Sequence, residues 1–207
     1  MDLVFQELVS AHGSAEVAPY VHTPDEVHEA FLEFCHFEPS ERVVEIGVGD
    51  GRLLLAALRA GVSSIAGFEI DPIALEDVSR RLAMEGVTLG DQVTLHKVDA
   101  FGEPPVGFEW EEVDTVYAYL GTRGMKRFGA VLWPLLRPGA RMISVQFPAP
   151  ELQPQRVETM RYKDCRTEEL EFRFYEYIVP DERRTTRSAA TAAAAAAEEE
   201  GGLTKGG

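Results

Sequence analysis

Cysteine is nearly absent from this chain: Cys35 and Cys165 are the only two. So small and so widely separated a pair builds neither a disulfide framework nor a thiolate metal site. Histidine is also scarce, and His12, His22, His28 and His36 stand at spacings of ten, six and eight. No zinc-binding pattern has that spacing, so no metal is expected. No apolar run reaches the roughly 18 residues that a membrane helix requires, so membrane insertion is not expected. Met1 to Ser10 carries Asp2 and Glu7 but no arginine, which resembles neither a signal nor a transit peptide. A cytoplasmic location, or a nuclear one, is the simplest expectation. Basic residues are in deficit, 20 Lys and Arg against 35 Asp and Glu, for a formal net charge of −15. Phosphate backbones are held through Lys and Arg, so nucleic acid is an unpromising partner. A basic protein or cationic tail would be attracted instead. Internal repeats are absent as well.

What the chain does have is Val43-Val44-Glu45-Ile46-Gly47-Val48-Gly49-Asp50-Gly51-Arg52. An apolar run ends in a carboxylate, three glycines follow on alternate positions, and a helical pattern begins. Glycine removes the Cβ atoms that would obstruct a ligand lying on the turn, and it permits positive φ. A dinucleotide site would read G-x-G-x-x-G and place pyrophosphate on the helix N-terminus. Here the order is acid-x-G-x-G-x-G, with Glu45 two residues ahead of Gly47. S-adenosylmethionine carries a sulfonium and an α-ammonium but no phosphate, so an anion at the strand tip suits it better than it suits a dinucleotide.

Further strand ends repeat the pattern. Leu53, Leu54, Ala57 and Leu58 recur at helical spacing, with Gly61 where the helix would stop. Ser64 to Phe68 then runs into Glu69-Ile70-Asp71-Pro72. Glu69 falls 24 positions after Glu45, close to the roughly 20-residue offset of a ribose-binding acid, and its two oxygens can accept both ribose hydroxyls. Asp71 before Pro72 reads mainly as the N-cap of a helix bearing Leu75, Val78 and Leu82 on one face. A third strand, Gln92 to Val98, ends in Asp99, and a fourth, Val113 to Ala118, ends near Tyr119. Ligands of open α/β sheets bind beyond the carboxyl ends of the strands, so Glu45, Glu69 and Asp99 are expected on one rim. Met125, Phe128 and Leu132 mark a helix, and Leu136-Arg137-Pro138-Gly139 turns into a fifth strand, Met142 to Phe147. Gln155 to Tyr162 and Glu169 to Val179 alternate like a closing hairpin.

These elements predict an α/β fold, a Rossmann-like doubly wound seven-stranded sheet, mostly parallel with an antiparallel C-terminal hairpin. The expected divisions are an N-terminal cap segment over 1–40, a catalytic domain over 41–180 and a disordered low-complexity tail over 181–207. The tail contains an alanine run, Ala192 to Ala197, followed by glutamates and glycines. It has no apolar face to bury, and a short alanine helix alone is marginal.

From about Glu41 to Phe147 the chain resembles the class I S-adenosylmethionine-dependent methyltransferases. The resemblance implies that Glu45, Gly47, Gly49 and Gly51 take the methionine part, Glu69 the ribose and Asp99 the adenine edge. Pro19-Tyr20-Val21-His22-Thr23-Pro24, Gly49-Asp50-Gly51-Arg52 and Val116-Tyr117-Ala118-Tyr119-Leu120 are similar to segments of the archaeal-type protein-lysine methyltransferases. Eukaryotic relatives of those enzymes modify mitochondrial membrane carriers and an ATP synthase subunit. His22 stands where that family has proline. On local grounds alone the same stretch is a turn into a helix over Asp25 to Cys35, with Thr23 or Asp25 as its cap. Base-amino methyltransferases tend to carry Asn/Asp-Pro-Pro-Tyr after the fourth strand, and Asp114 to Leu120 contains no proline.

The chemistry implied is in-line methyl transfer from sulfonium to a neutral lysine amine of a protein substrate. Alignment is the protein's main task. A lysine of reference pKa about 10.4 costs about 4.6 kcal/mol to deprotonate at pH 7, and burial lowers that cost. Tyr117 and Tyr119, with Tyr20, are the candidates for an aromatic collar, and Thr23 joins the cofactor set. Strand alternation is taken to send one of Tyr117 and Tyr119 toward substrate and the other into the core. Two alternatives stay open, a small-molecule or RNA methyltransferase and a non-catalytic cofactor-binding module, because the cofactor half is shared across the fold.

Overall fold

Apolar segments flanked by turn residues form the sheet, in a computed structural model that describes residues 23–90, 92–163 and 169–181. Tyr20, His22 and the proposed tail after Asp181 lie outside the described residues. The strands are β1 (Arg42–Ile46), β2 (Ser64–Glu69), β3 (Val93–Lys97), β4 (Thr115–Ala118), β5 (Arg141–Val145), β6 (Arg156–Lys163) and β7 (Glu169–Ile178). The helices are α1 (Asp25–Cys35), α2 (Arg52–Arg59), α3 (Pro72–Met84) and α4 (Thr122–Arg127). Strand order is β3-β2-β1-β4-β5-β7-β6. The first five strands pair in parallel, and β7 runs antiparallel to both β5 and β6. The order reverses between β1 and β4, which opens the crevice where ligands of such sheets bind.

Both faces of the central strands β1, β2, β4 and β5 are covered, which explains their largely apolar runs, whereas the edge strand β3 is only partly buried. Val44, Ile46, Ala66, Phe68, Val116 and Met142 pack on one face with Trp110, Met125 and Phe128. The opposite face buries Val43 and Ile65 beneath α2 and α3, and Tyr117 and Ile143 beneath Val27 and Phe31 of α1. Gly67, mid-strand in β2, is glycine because of packing. A Cβ there would lie 2.5 Å from Cγ1 of Val48, the buried residue of the glycine turn, and 3.0 Å from Cδ2 of Leu95.

Two local expectations are corrected. Neither Thr23 nor Asp25 caps α1, whose N-cap is Pro24 with no side-chain cap bond. The helix expected at Met125, Phe128 and Leu132 is not a single regular helix. After α4 the chain passes through a π turn, Phe128–Leu132, and a 3-10 turn, Trp133–Leu135. Pro134 has no N–H to continue the ladder, and the altered winding still buries all three apolar residues.

The C-terminal end of α1 has no basic residue of its own in its last turn. Its free carbonyls are satisfied from the sheet instead. Arg156 donates to Phe34 O, and its Cζ sits 3.9 Å from the Phe34 ring centroid. Arg141 donates to Cys35 O at 2.9 Å and pairs with Glu41 at 2.7 Å and Glu176 at 2.9 Å. Arg141, Glu41 and Glu176 are 17%, 12% and 12% exposed at the side chain. Among the described residues no helix is long and apolar enough to cross a membrane.

Candidate active site

β1 delivers Glu45 to the crevice, and the three glycines after it turn the chain back with φ of 78°, 52° and 75° at Gly47, Gly49 and Gly51. Side-chained residues rarely adopt that region. Gly47 N–H donates to Phe68 O at 2.8 Å, locking the turn to β2. A cavity of about 450 Å³ opens at this point, of a size ordinary for small-molecule sites. Glu45, Gly47 and Gly49 line it from β1 and the turn, and Glu69 and Asp99 from the ends of β2 and β3. Thr23, Tyr117 and Tyr119 line it as well. Gly51 stands outside the lining. It precedes α2, and a Cβ there would lie 2.9 Å from Val78 Cγ1.

The electrostatics differ from one acid to the next. Glu45 is 4% exposed, and its Oε2 has no hydrogen-bond partner among the described residues. Burial first, then the neighbouring Asp50 and Glu69 carboxylates, push its carboxyl well above the ordinary range, while a backbone hydrogen bond at Leu54 pulls the other way. Glu69 Oε1 accepts from Ile70 N at 2.8 Å and Asp71 N at 3.0 Å. Those bonds fill both lone-pair positions of Oε1. Asp71 accepts from Ile73 N at 2.8 Å, with Pro72 beginning α3, so it caps the helix as expected and also touches the cavity. Asp99 accepts from Phe101 N at 3.0 Å and pairs with Arg127 at 3.2 Å.

Tyr117 and Tyr119 both line the cavity. The expectation that strand alternation would separate them is corrected, because residues two apart on a strand share a face. Tyr117 is 8% exposed and tilted against Phe31 at 4.9 Å between ring centroids. Tyr119 is half-buried, 6.2 Å from the Phe147 ring. Burial raises both phenols above their usual range, for Tyr117 with Glu45 adding to the shift. Both hydroxyls are therefore neutral at physiological pH. Cys35, fully buried and also pushed up by burial, is an inert thiol.

Several contributors were not assigned from sequence. Arg52 joins the N-terminal segment to the glycine turn: it donates to Thr23 O at 2.7 Å and pairs with Asp25 at 2.6 Å and Asp50 at 2.7 Å. It stood in the Gly49-Asp50-Gly51-Arg52 segment, but no local signal named its partners. His28, one helical turn beyond Pro24, also reaches the cavity, as does Phe101. Among the described residues no group of three or more His, Cys, Asp or Glu is placed to hold a metal.

The residues present fit S-adenosylmethionine. A buried carboxyl oxygen lacking a partner suits an ammonium, bare peptide at Gly47 and Gly49 suits close approach, and acids at two further strand ends suit ribose and adenine. Among solved structures, an RNA methyltransferase from Salinibacter ruber in complex with S-adenosyl-L-homocysteine matches with a TM-score of 0.62 at 25% identity. That match covers 78% of this chain and 95% of that one. A protein-lysine N-methyltransferase of Saccharolobus islandicus is 27% identical over 130 residues, 62% of this chain and 76% of the relative. A ribosomal protein L11 methyltransferase of Geobacillus thermodenitrificans is 27% identical over 120 residues, 56% of this chain but only 34% of the relative's length. The model of the ANTKMT methyltransferase domain matches residues 45–156, more than half of the 207 residues. With the strand order, the glycine turn and the rim of acids already in place, this chain belongs to the ANTKMT methyltransferase domain family, within the class I S-adenosylmethionine-dependent methyltransferases.

Proposed function

We propose that this protein transfers a methyl group to the side-chain amine of lysine in a protein substrate. The observation that carries the reading is the aromatic wall of the cavity, where two neutral tyrosines, Tyr117 and Tyr119, line it together with His28 of α1. Aromatic walls exclude water, and exclusion of water favours the uncharged amine that must attack. The outer face of α1 is acidic, with Asp25, Glu26, Glu29 and Glu33 all exposed, a surface that attracts a cationic side chain. The Saccharolobus islandicus relative adds support through its name, and it is covered over most of its length.

When bound, S-adenosylmethionine supplies the electrophilic methyl group. Glu45 would hold the α-ammonium, Glu69 the ribose hydroxyls through Oε2, and Asp99 the adenine amine. Gly47 and Gly49 would let the methionine part lie against backbone, and Gly51 would shape the turn from behind. Tyr117 and Tyr119 would orient the amine and keep it dry, Tyr20 is proposed as the third member of that collar, and Thr23 would join the cofactor set. We also propose that residues 41–180 form the methyltransferase domain and 1–40 its cap.

The test is to incubate the purified protein with isotopically labelled methyl donor and a proteome, then locate the label by mass spectrometry. Methyl groups on lysine are expected. Label confined to RNA or to small molecules would overturn the substrate, and no turnover at all would favour a non-catalytic module.

A further inference from the structure

Arg127 ends α4 and is absent from the cavity lining, yet it touches two residues that belong to it. Its Nη2 lies 3.2 Å from Asp99 Oδ2, and its Cζ sits 4.4 Å from the centroid of the Phe101 ring. Asp99 Oδ1 meanwhile accepts from Phe101 N at 3.0 Å, and Gly102 N closes a turn onto Asp99 O at 2.9 Å. Asp99 and Phe101 are thus tied to each other by the backbone and to α4 by one guanidinium.

We propose that Arg127 is a positioning residue for the adenine end of the site: it fixes the Asp99 carboxylate and the Phe101 ring in one geometry and thereby sets the preference for a 6-aminopurine. The inference rests on the placement of adenine at Asp99. A carboxylate offers about four lone-pair positions. Phe101 N and Arg127 occupy one on each oxygen, which fixes the plane of the group and leaves one position on each for a ligand. Guanidinium suits this task because it can pair with a carboxylate while lying flat on an aromatic ring. Lysine can supply the charge but not the plane. Arg127 is 40% exposed, and Phe101 is packed in the same apolar cluster as Met125 and Phe128. The fold at this point is therefore held by burial, whereas the angle of Asp99 is held by Arg127.

The test is titration calorimetry of the full chain with S-adenosylhomocysteine and with its 6-oxo (inosyl) analogue, for wild type, Asp99→Asn, Arg127→Met and Arg127→Lys. A 6-oxo group presents an acceptor where the amine presents a donor. Wild type should favour the amino ligand by about tenfold or more, the scale of one hydrogen bond to a charged group. Asp99→Asn should erase that preference, since an amide can serve either ligand. Arg127→Met should shrink it to within about threefold, and Arg127→Lys should fall between. Thermal unfolding midpoints check that the variants are folded, and Arg127→Lys decides the matter should Arg127→Met not fold. An unchanged ratio in the Arg127 variants would overturn the positioning role, even if both ligands bound more weakly. No preference in wild type would instead remove adenine from Asp99, and the role of Arg127 with it.

Discussion

Replacing Glu45 by glutamine should act in opposite directions on folding and on cofactor binding. Glu45 is buried at 4% exposure with one oxygen lacking a partner, and burial, then Asp50 and Glu69, raise its carboxyl well above the ordinary range. A carboxyl whose folded pKa exceeds its unfolded value holds its proton more tightly in the folded state. Its contribution to stability is therefore fully present below the unfolded pKa of about 4.3 and is lost as pH rises toward the folded pKa. The slope within that window is about 1.4 kcal/mol per pH unit. Arg52 from α2, Tyr117 from β4 and His28 from α1 share the cavity, but Arg52 is already engaged by Asp25 and Asp50. Glutamine cannot ionise, so Glu45→Gln should gain on wild type by about 1.4 kcal/mol for each pH unit above about 4.3 until the folded pKa is reached. Binding should move the other way, because an ammonium loses its anion: about 1.5 to 3 kcal/mol, a tenfold to hundredfold rise in Kd. Wild type should also release a proton on binding, visible as a dependence of the calorimetric heat on buffer ionisation enthalpy, and the variant should not. Urea unfolding at about pH 5, 6 and 7, all above the unfolded pKa, supplies the first half of the comparison. A stability difference that does not change with pH, or a variant that binds as tightly as wild type, would refute the reasoning.

Gly67→Ala should destabilise the fold by about 1 to 3 kcal/mol through overpacking, since its Cβ would fall 2.5 Å from Val48 Cγ1; an unchanged denaturation midpoint would count against that account. Arg141→Met should cost toward the lower end of about 3 to 5 kcal/mol, because it leaves Glu41 without its arginine while Glu176 keeps Arg156 at 3.2 Å. Hydrogen exchange should then quicken in the last turn of α1, and a stability loss below about 0.5 kcal/mol, within the range of ordinary surface changes, would show the cluster to be dispensable. Tyr119→Phe should lower turnover more than cofactor affinity, whereas equal losses in both would assign Tyr119 to folding.

The strands and the acids at their tips could be read from the chain because both are written in local runs, whereas the order of the strands in the sheet could not. Val43, Val44 and Ile46 are apolar with Glu45 set among them, and the glycines mark the turn without reference to anything distant. What could not be read depends on pairs far apart in sequence. Gly67 looks like a weakness in β2 until Val48 is seen against it. Arg127 sits in an unremarkable helix end until the β3 loop arrives beside it. The clamp on α1 comes from Arg141 and Arg156, more than a hundred residues downstream of the carbonyls they bind. The tyrosine pair was a different matter: the spacing was visible, and the two-residue period of a strand already placed both rings on one side.

The unequal fastening of α1 has a mechanical consequence. Its far end is riveted by two arginines whose partners are largely out of water, whereas its near end is held through Arg52 to Thr23 and to an Asp25 that is 82% exposed at the side chain. An ion pair that open to solvent contributes about 0 to 1 kcal/mol. Of the two ends of α1, the one beside the cavity therefore has the more solvent-exposed ion pair, and any loosening of the helix would begin at Asp25 rather than at Cys35. Arg52, which holds Thr23 and Asp25 at that end and Asp50 of the glycine turn, would carry such a loosening to the loop on which the methyl donor would rest.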